Sequence, residues 1–384
     1  MAPRVRDLVD AVDRISPLRL AASWDNVGLL LGDQEGPLRR ALVTIDLTGP
    51  VLAEALDRQV DAVVAYHPPL FHPLKRLVAS DPRQAILLDA ARAGLALISP
   101  HTALDAAAGG MTDWLAEGAG EGTLEPIEPA SHRPAGEAFM VVTKCPPAAV
   151  NRIRTSMALA GAGRIGEYAE CAFELSGRGA FRPGPAAMPH VGRRGVLERA
   201  EESRLEMVCA EAVLGPVLAA LRAAHPYEEP PIEVTSLAPR PSLSEGQGRI
   251  LRLLRPATTE ALLRRMTSHL GVRRMQVVRP TPAAPPARGA ARTSRSARHS
   301  AIGLCPGAAA GFIAAAAARG CTLFLTGEAR HHEQLEAAAL GCTLLLAGHT
   351  ETERGYLDRY LRRLSEALPG VRFLRSRADS PPAA

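Results

Sequence analysis

The chain reads as an α/β protein made of two α/β halves with an α+β insert between them, and three observations point there. Short apolar runs alternate with helical patterns at both ends of the sequence, as in a layered fold with a buried, largely parallel sheet. The middle carries the order β-α-β…β-α-β, which is the ferredoxin-like pattern. Polar clusters follow the apolar runs directly, where open α/β sheets place their binding sites.

The first half spans 1–125. Val5, Leu8, Val9 and Val12 recur at helical spacing. "SWDNVGLLLGD" (23–33) is a turn into an apolar run, with Asp25 and Asn26 as turn formers. Strands are expected in 40–48, 60–67 and 94–101, with helices over 50–58 and 82–93. The Gly/Glu/Pro-rich stretch 119–136 predicts a boundary. The insert, 137–238, has strands at 137–145, near 170–175, at 204–210 and at 231–236, and helices at 148–162 and 212–224. A Pro/Ser tract at 238–245 precedes the second half, 246–376. Its strands are expected at 248–254, 300–304, 321–326, 343–347 and 371–374, and its helices at 257–269, 307–319, 329–340 and 351–366. The Pro/Arg/Ser-rich tract 279–299 predicts a mobile loop inside a hairpin, and 377–384 a disordered tail.

Bulk properties narrow the function. At 384 residues the chain is too long for one compact core. A net charge of +5 over that length is a mild field, and Lys75 and Lys144 are the only lysines beside many arginines. Nucleic-acid binding needs a clustered patch. The one Arg-rich cluster, 288–298, has no interleaved aromatic residues and reads as a solvated loop, so no nucleic-acid partner is expected. None of the six cysteines forms a CxxC pair, and several sit in apolar runs. Free thiols in a reducing compartment fit that pattern. The first residues lack the apolar stretch of a signal peptide, and the Ala-rich run 307–318 is too short to span a bilayer. A cytoplasmic protein with no membrane partner is expected.

Four clusters can carry chemistry. Tyr66-His67-Pro68-Pro69 closes an apolar strand, and the prolines pre-set the backbone of a ligating imidazole. A locally hydrogen-bonded loop histidine is the competing reading. His101 and Asp105 follow another strand and offer an imidazole and a hard carboxylate oxygen; alternatively Asp105 caps the helix after it. Glu328, His331 and His332 open a helix at offsets that share a face, or form an ordinary surface group. The sharpest is "LLLAGHTETERGYL": His349 and Glu353 are four residues apart and can grip one ion from one helix face. Glu353 as a partner of the helix dipole is the alternative. Glu351 points elsewhere by spacing. No GxxxxGK[ST] loop, strand-linked GxGxxG or GxSxG elbow is present.

Taken together these segments resemble the family named for the NGG-one-interacting factor three, whose members are often labelled type-two GTP cyclohydrolase I homologues. Over about 5–118 and 246–376, "SWDNVGLLLGD", "VVAYHPPLFHPLKRL", "ISPHTALDAAAGGMTDWLA", "TGEARHH" and "GHTETERGYL" occur in the family's order. The middle resembles the inserted domain of longer members, similar to copper-tolerance and PII proteins, through "GAGRIGEYAECAFELSGRGAFRPG" and "HPYEEPPIEV". The resemblance implies a two-metal site between the two halves, with His67, Asp105, His349 and Glu353 as ligands and Glu353 bridging. Tyr66 stands where many members have a histidine, and a neutral phenol is a poor ligand near neutral pH. "CPGAAAG" (305–311) replaces a Gly/Ser-rich turn. One or two divalent cations (Zn, Fe, Mn or Co) per chain follow, with a homo-oligomer, a hexamer or trimer-based ring.

The function expected is a metal-dependent hydrolase, cyclohydrolase-like, acting on a small molecule of nucleotide type. His101, Glu328, His331 and His332 are candidates for orienting ligands or carrying protons. The rival expectation is a non-catalytic scaffold that senses a metal or effector.

Overall fold

The computed structural model describes residues 2–132, 134, 136–280 and 297–381. The chain divides into two compact units, one formed by residues 1–130 with 242–384 and the other by 131–241.

The first unit opens with α1 (Val5–Ile15), whose apolar stripe buries Leu8, Ala11, Val12 and Ile15. Then come β1 (Gly28–Leu31), β2 (Arg40–Thr44), α2 (Gly49–Asp57), β3 (Ala62–Ala65), α3 (Pro82–Arg92) and β4 (Ala96–Ser99). Asp81 starts α3 by accepting the Arg83 and Gln84 amides, ahead of a proline at the first helical position. Two short helices, α4 (His101–Ala106) and α5 (Met111–Glu117), lead to β5 (Gly122–His132). The second unit runs β6 (Phe139–Cys145), α6 (Val150–Leu159), β7 (Phe173–Phe181), β8 (Glu198–Cys209), α7 (Leu214–Ala224) and β9 (Ile232–Ser236). The chain then returns through β10 (Arg240–Thr258), α8 (Thr259–Leu270), β11 (Gln276–Val278), β12 (Arg298–Leu304), α9 (Ile313–Ala318), β13 (Leu323–Thr326), α10 (His331–Ala339) and β14 (Thr343–Leu346). It ends in α11 (Glu351–Arg354), α12 (Leu357–Ala367) and β15 (Arg372–Arg375).

Two sheets build the first unit. One has the order β1-β4-β3-β2-β15, the other β11-β14-β13-β12-β10-β5. In the first, β15, β2, β3 and β4 are parallel and β1 is antiparallel at the edge. In the second, β12, β13 and β14 are parallel. Strands β3, β4, β13 and β14 are buried along their whole length, as expected of parallel strands covered on both faces. On one face of the first sheet, Leu42, Val63, Ala65 and Leu97 pack with Val51, Leu52 and Leu87 of α2 and α3. On the other, Ala41, Val43, Val64 and Ile98 join Leu8, Val12, Tyr360 and Leu364 of α1 and α12. That same cluster takes in Ile302, Leu323, Leu325 and Leu345 of the second sheet. One core therefore holds the two halves of the sequence together, and the carboxyl ends of β3, β4 and β14 come close to each other as a result. The second unit has a four-stranded antiparallel sheet, ordered β7-β8-β6-β9, packed on α6 and α7.

The structure differs from the expectations in several places. The stretch 119–136 does contain the change from one unit to the other, after Ala130, but it is not a loop: 122–132 is strand β5, at the edge of the second sheet. Pro126 and Pro129 are tolerated there because an edge strand has unpaired amide positions. The tract 238–245 is likewise the opening of β10. The helix expected over 307–319 shrinks to α9, with a loop at 305–309. The helix over 351–366 breaks at Gly355 into α11 and α12, where a Cβ would lie 2.5 Å from the Trp114 ring. The strands flanking 279–299 form no hairpin, since β11 pairs with β14 and β12 with β10 and β13; residues 281–296 and the Arg-rich cluster within them lie outside the described residues. Residues 377–379, expected in a disordered tail, are held in place. The Glu54 carboxylate accepts the Arg377 and Ala378 amides, and the Ile45 amide donates to Asp379. Among the described residues no helix is long and apolar enough to cross a membrane.

Candidate metal centre

Hydrogen bonds between strand ends place the first ligand. The Tyr66 amide donates to the Thr44 carbonyl (2.9 Å) and the His67 amide to the Ile45 carbonyl (3.0 Å), which carries the sheet pairing past β3. Pro68 and Pro69 then fix the exit of the chain. In the other half, the Ala347 amide donates to Thr326 (3.1 Å) and the Gly348 amide to Gly327 (2.9 Å), which sets His349 beyond β14. Glu353 lies one turn on, in α11, and is 1% exposed.

Three of the four residues named for the metal converge. His67, His349 and Glu353 each offer an atom within 4.8 Å of the others, a grouping that could hold a metal ion. The His67 Nε2 is 3.5 Å from Glu353 Oε2, and the His349 Nε2 is 3.6 Å from Glu353 Oε1. Both separations are too long for a hydrogen bond. They match the edge of a tetrahedral site, about 3.3–3.6 Å when nitrogen and oxygen ligands lie at about 2.0–2.2 Å from an ion. The far ring nitrogens are already engaged. His67 Nδ1 is 2.9 Å from Asp46 Oδ1, and His349 Nδ1 is 2.9 Å from Glu328 Oε1. A carboxylate on Nδ1 fixes the tautomer with its lone pair on Nε2, as in carboxylate–histidine–metal arrangements.

The fit to a cation rests on two further features. Glu353 Oε2 is buried with no hydrogen-bond partner, a costly arrangement for a carboxylate unless something positive completes it. Gly307, in the left-handed region at φ +63°, closes over the same spot; a Cβ there would lie 2.9 Å from Glu353 Oε1 and 3.2 Å from His349 Nε2. The electrostatics agree. Burial works against a charge on His67, but Asp46 and Glu353 outweigh it and push its pKa up to about 10. A proton there does what a metal cation would do.

Asp105, the fourth residue, is not part of that grouping. It is buried, and the Tyr66 hydroxyl donates to its Oδ1 at 2.7 Å. Burial raises its pKa to about 7. Burial, with Asp105 beside it, also pushes the Tyr66 phenol well above its ordinary value. His101 lines the cavity, and its Nδ1 is 2.8 Å from Asp25 Oδ1. Asp25 also accepts the Thr102 amide (3.1 Å) and hydroxyl. His331 and His332 are exposed at the start of α10 and do not line the cavity. Glu328 precedes that helix and serves His349 instead.

Sequence reasoning missed Asp46, the anchoring role of Asp25, and Gly307. Asp46 stands just past β2, so the strand-end rule that found His67 could have found it. Asp25 showed only turn-forming character, and Gly307 only a Pro-Gly pair.

Residues 3–382 match the model of the Duf34/NIF3 (NGG1p interacting factor 3) family. A Mycobacterium tuberculosis protein named GTP cyclohydrolase 1 type 2 homolog is 32% identical over 335 residues, covering 86% of this chain and 83% of that protein. The Mus musculus NIF3-like protein 1 is 30% identical over 370 residues, covering 96% and 88%. A solved Bacillus cereus protein related to NIF3 aligns over 100% of this chain and 99% of its own, with 26% identity and a TM-score of 0.68. A Staphylococcus aureus structure shares the fold at a TM-score of 0.78, with 22% identity and the same coverage.

Proposed function

Because the chain belongs to the Duf34/NIF3 family, we propose that it is a metal-dependent hydrolase whose divalent cation is held by His67, His349 and Glu353. The observation that carries this reading is the buried, partnerless Glu353 Oε2 facing the Nε2 of His67 at 3.5 Å. Mixed imidazole and carboxylate donors suit Zn, Fe, Mn or Co. Such an ion would supply Lewis acidity and an acidified water as nucleophile. The protein's own groups do the rest. Asp46 and Glu328 hold the two imidazoles in one tautomer. Asp105, with its pKa raised to about 7 by burial, is poised to take or give a proton near neutrality. His101, oriented by Asp25, stands beside it on the cavity wall. Since Tyr66 occupies Asp105, the reading is one ion per chain, with a second position open to Asp105 only when Tyr66 releases it. The relatives' name, GTP cyclohydrolase 1 type 2 homolog, adds a nucleotide-type substrate. A homo-oligomer, a hexamer or trimer-based ring, belongs to the same proposal, as does reading 131–241 as an inserted ferredoxin-like domain.

Elemental analysis of the wild type and of His349→Ala tests the metal. About one ion per chain is expected, lost in the variant. No metal in the wild type after reconstitution would end the reading. A hydrolysis screen of nucleotides with Zn, Mn, Fe or Co then tests the chemistry, and Glu353→Ala should abolish turnover. Metal retained without turnover would favour a metal- or effector-sensing scaffold, which the separate compact unit at 131–241 also suits.

A further inference from the structure

His67, His349 and Glu353 line a cavity of about 650 Å³, a size that holds a small organic ligand. One wall is aromatic. Trp24, Phe71 and His101 all line it and meet edge-on, with ring centroids 5.9 Å (Trp24–Phe71), 6.1 Å (Trp24–His101) and 6.2 Å (Phe71–His101) apart. Trp24 is 63% exposed and Phe71 38% exposed. The chain has few aromatic residues, 4% in all, so two uncovered rings at one cavity mouth are conspicuous. Exposed aromatic faces in a concave site are stacking platforms.

The charge of the lining is as informative as its shape. Among the described residues no lysine or arginine lines the cavity, whereas Asp105, Glu128 and Glu353 do. Tight recognition of a phosphate chain draws on guanidinium or ammonium groups, and the helices that start beside this cavity, α4, α9 and α11, are too short to replace them. A single divalent cation would offset the carboxylates and leave no surplus for a polyphosphate. Glu128 and Gln247, which also line the cavity, supply acceptor oxygens suited to ring N–H and amino groups. Gln247 spends its own amide hydrogens on the Leu20 and Thr102 carbonyls.

We propose that Trp24 and Phe71 form a stacking wall that holds an amino-substituted heteroaromatic ring without a phosphate chain, a free base or nucleoside, over the metal grouping. This rests on the hydrolase reading for its chemistry and replaces the nucleotide suggested by the relatives' name with its base or nucleoside part; its test does not rest on that reading. The probes are a panel of nucleosides, their free bases and their triphosphates, titrated calorimetrically into the full-length protein with and without Zn. At least one base or nucleoside should bind more tightly than its triphosphate. Trp24→Ala should weaken it about 5- to 150-fold, the range for losing one stacked ring. Phe71→Ala should weaken it in the same direction, and Trp24→Phe should restore binding to within about threefold. Both positions are at the surface, and circular dichroism would verify the fold. Three results would overturn the proposal: triphosphates binding at least tenfold tighter than nucleosides, no base or nucleoside binding at all, or binding untouched by Trp24→Ala. Elemental analysis of the same samples separates the two readings. Metal content should be equal in the wild type and Trp24→Ala; a wild type without metal would end the hydrolase reading while calorimetry still judges the ring site.

Discussion

Asp105 and Glu353 are both buried carboxylates just beyond apolar strands, one in each half of the sequence, yet their surroundings are opposite. Asp105 has a hydroxyl donor at 2.7 Å, Tyr66. Glu353 has one buried oxygen with no partner and two imidazole nitrogens at 3.5 and 3.6 Å. Burial alone therefore does not mark a metal ligand. A carboxylate that is already satisfied has little to gain from an ion, whereas one left unsatisfied between two imidazoles is completed by it. In the proposed reading, the Tyr66 hydroxyl on Asp105 leaves that carboxylate outside the metal grouping and makes the site uneven.

The largest effect expected from this contrast is at Glu353. Glu353→Gln keeps the shape and removes the charge, and metal affinity should fall by more than about 100-fold, beyond the range seen when only an outer partner is lost. Titration with Zn against a chromophoric competitor would measure it. An affinity within tenfold of the wild type would mean that Glu353 is buried for structural reasons only.

Next comes Asp46, which the contrast makes a positioning residue. Asp46→Asn should weaken metal binding about 10- to 100-fold by loosening the His67 tautomer. Replacing Glu328 by Gln should cost less, because Glu328 is exposed where Asp46 is half-buried. Equal losses in the two variants would show that exposure does not matter here.

The pH dependence has a definite sign. In the metal-free protein His67 holds its proton up to about pH 10, and an ion must displace that proton. Apparent metal affinity should therefore rise with pH, about tenfold per unit for one proton released, and level off above about 10. The stability of the metal-free protein should move the other way. A pKa raised above the ordinary 6.5 contributes stability that is full below that value and lost as pH rises through about 10. Metal binding independent of pH between 6 and 9 would mean that no proton leaves His67 when the ion binds.

How much of this was legible beforehand depends on the kind of signal. The β-α alternation of 40–101 and 321–347 was readable because fully buried strands leave continuous apolar runs. His67, His349 and Glu353 were readable because the ends of such strands are where side chains can converge. Strand β5 was hidden by Pro126 and Pro129, which look like a linker unless one knows that the strand is at an edge. The helix expected at 307–319 failed because Gly307 serves the site rather than the helix, closing over Glu353 and His349. Asp25 was invisible as an anchor, because its partners His101 and Thr102 lie 76 and 77 residues away and no local pattern encodes such a pairing. The pairing of Tyr66 with Asp105 spans 39 residues and was equally silent.

Tyr66→Phe tests the other arm of the contrast and should change metal binding least. If Asp105 is held by the phenol and not by an ion, removing the hydroxyl should leave metal content at the wild-type value. The cost should appear in stability instead. A buried carboxyl group stripped of its donor loses about 1–3 kcal/mol, which thermal unfolding of the metal-free variant would register as a lower Tm. Asp105 can blunt the loss by staying protonated, since its pKa already stands at about 7; the deficit should therefore be smaller at pH 6 than at pH 8. A second ion per chain in Tyr66→Phe would break the comparison from the opposite side. Asp105 would then be a ligand that the tyrosine had been keeping from the metal, and the unevenness of the site would be a property of one hydroxyl group.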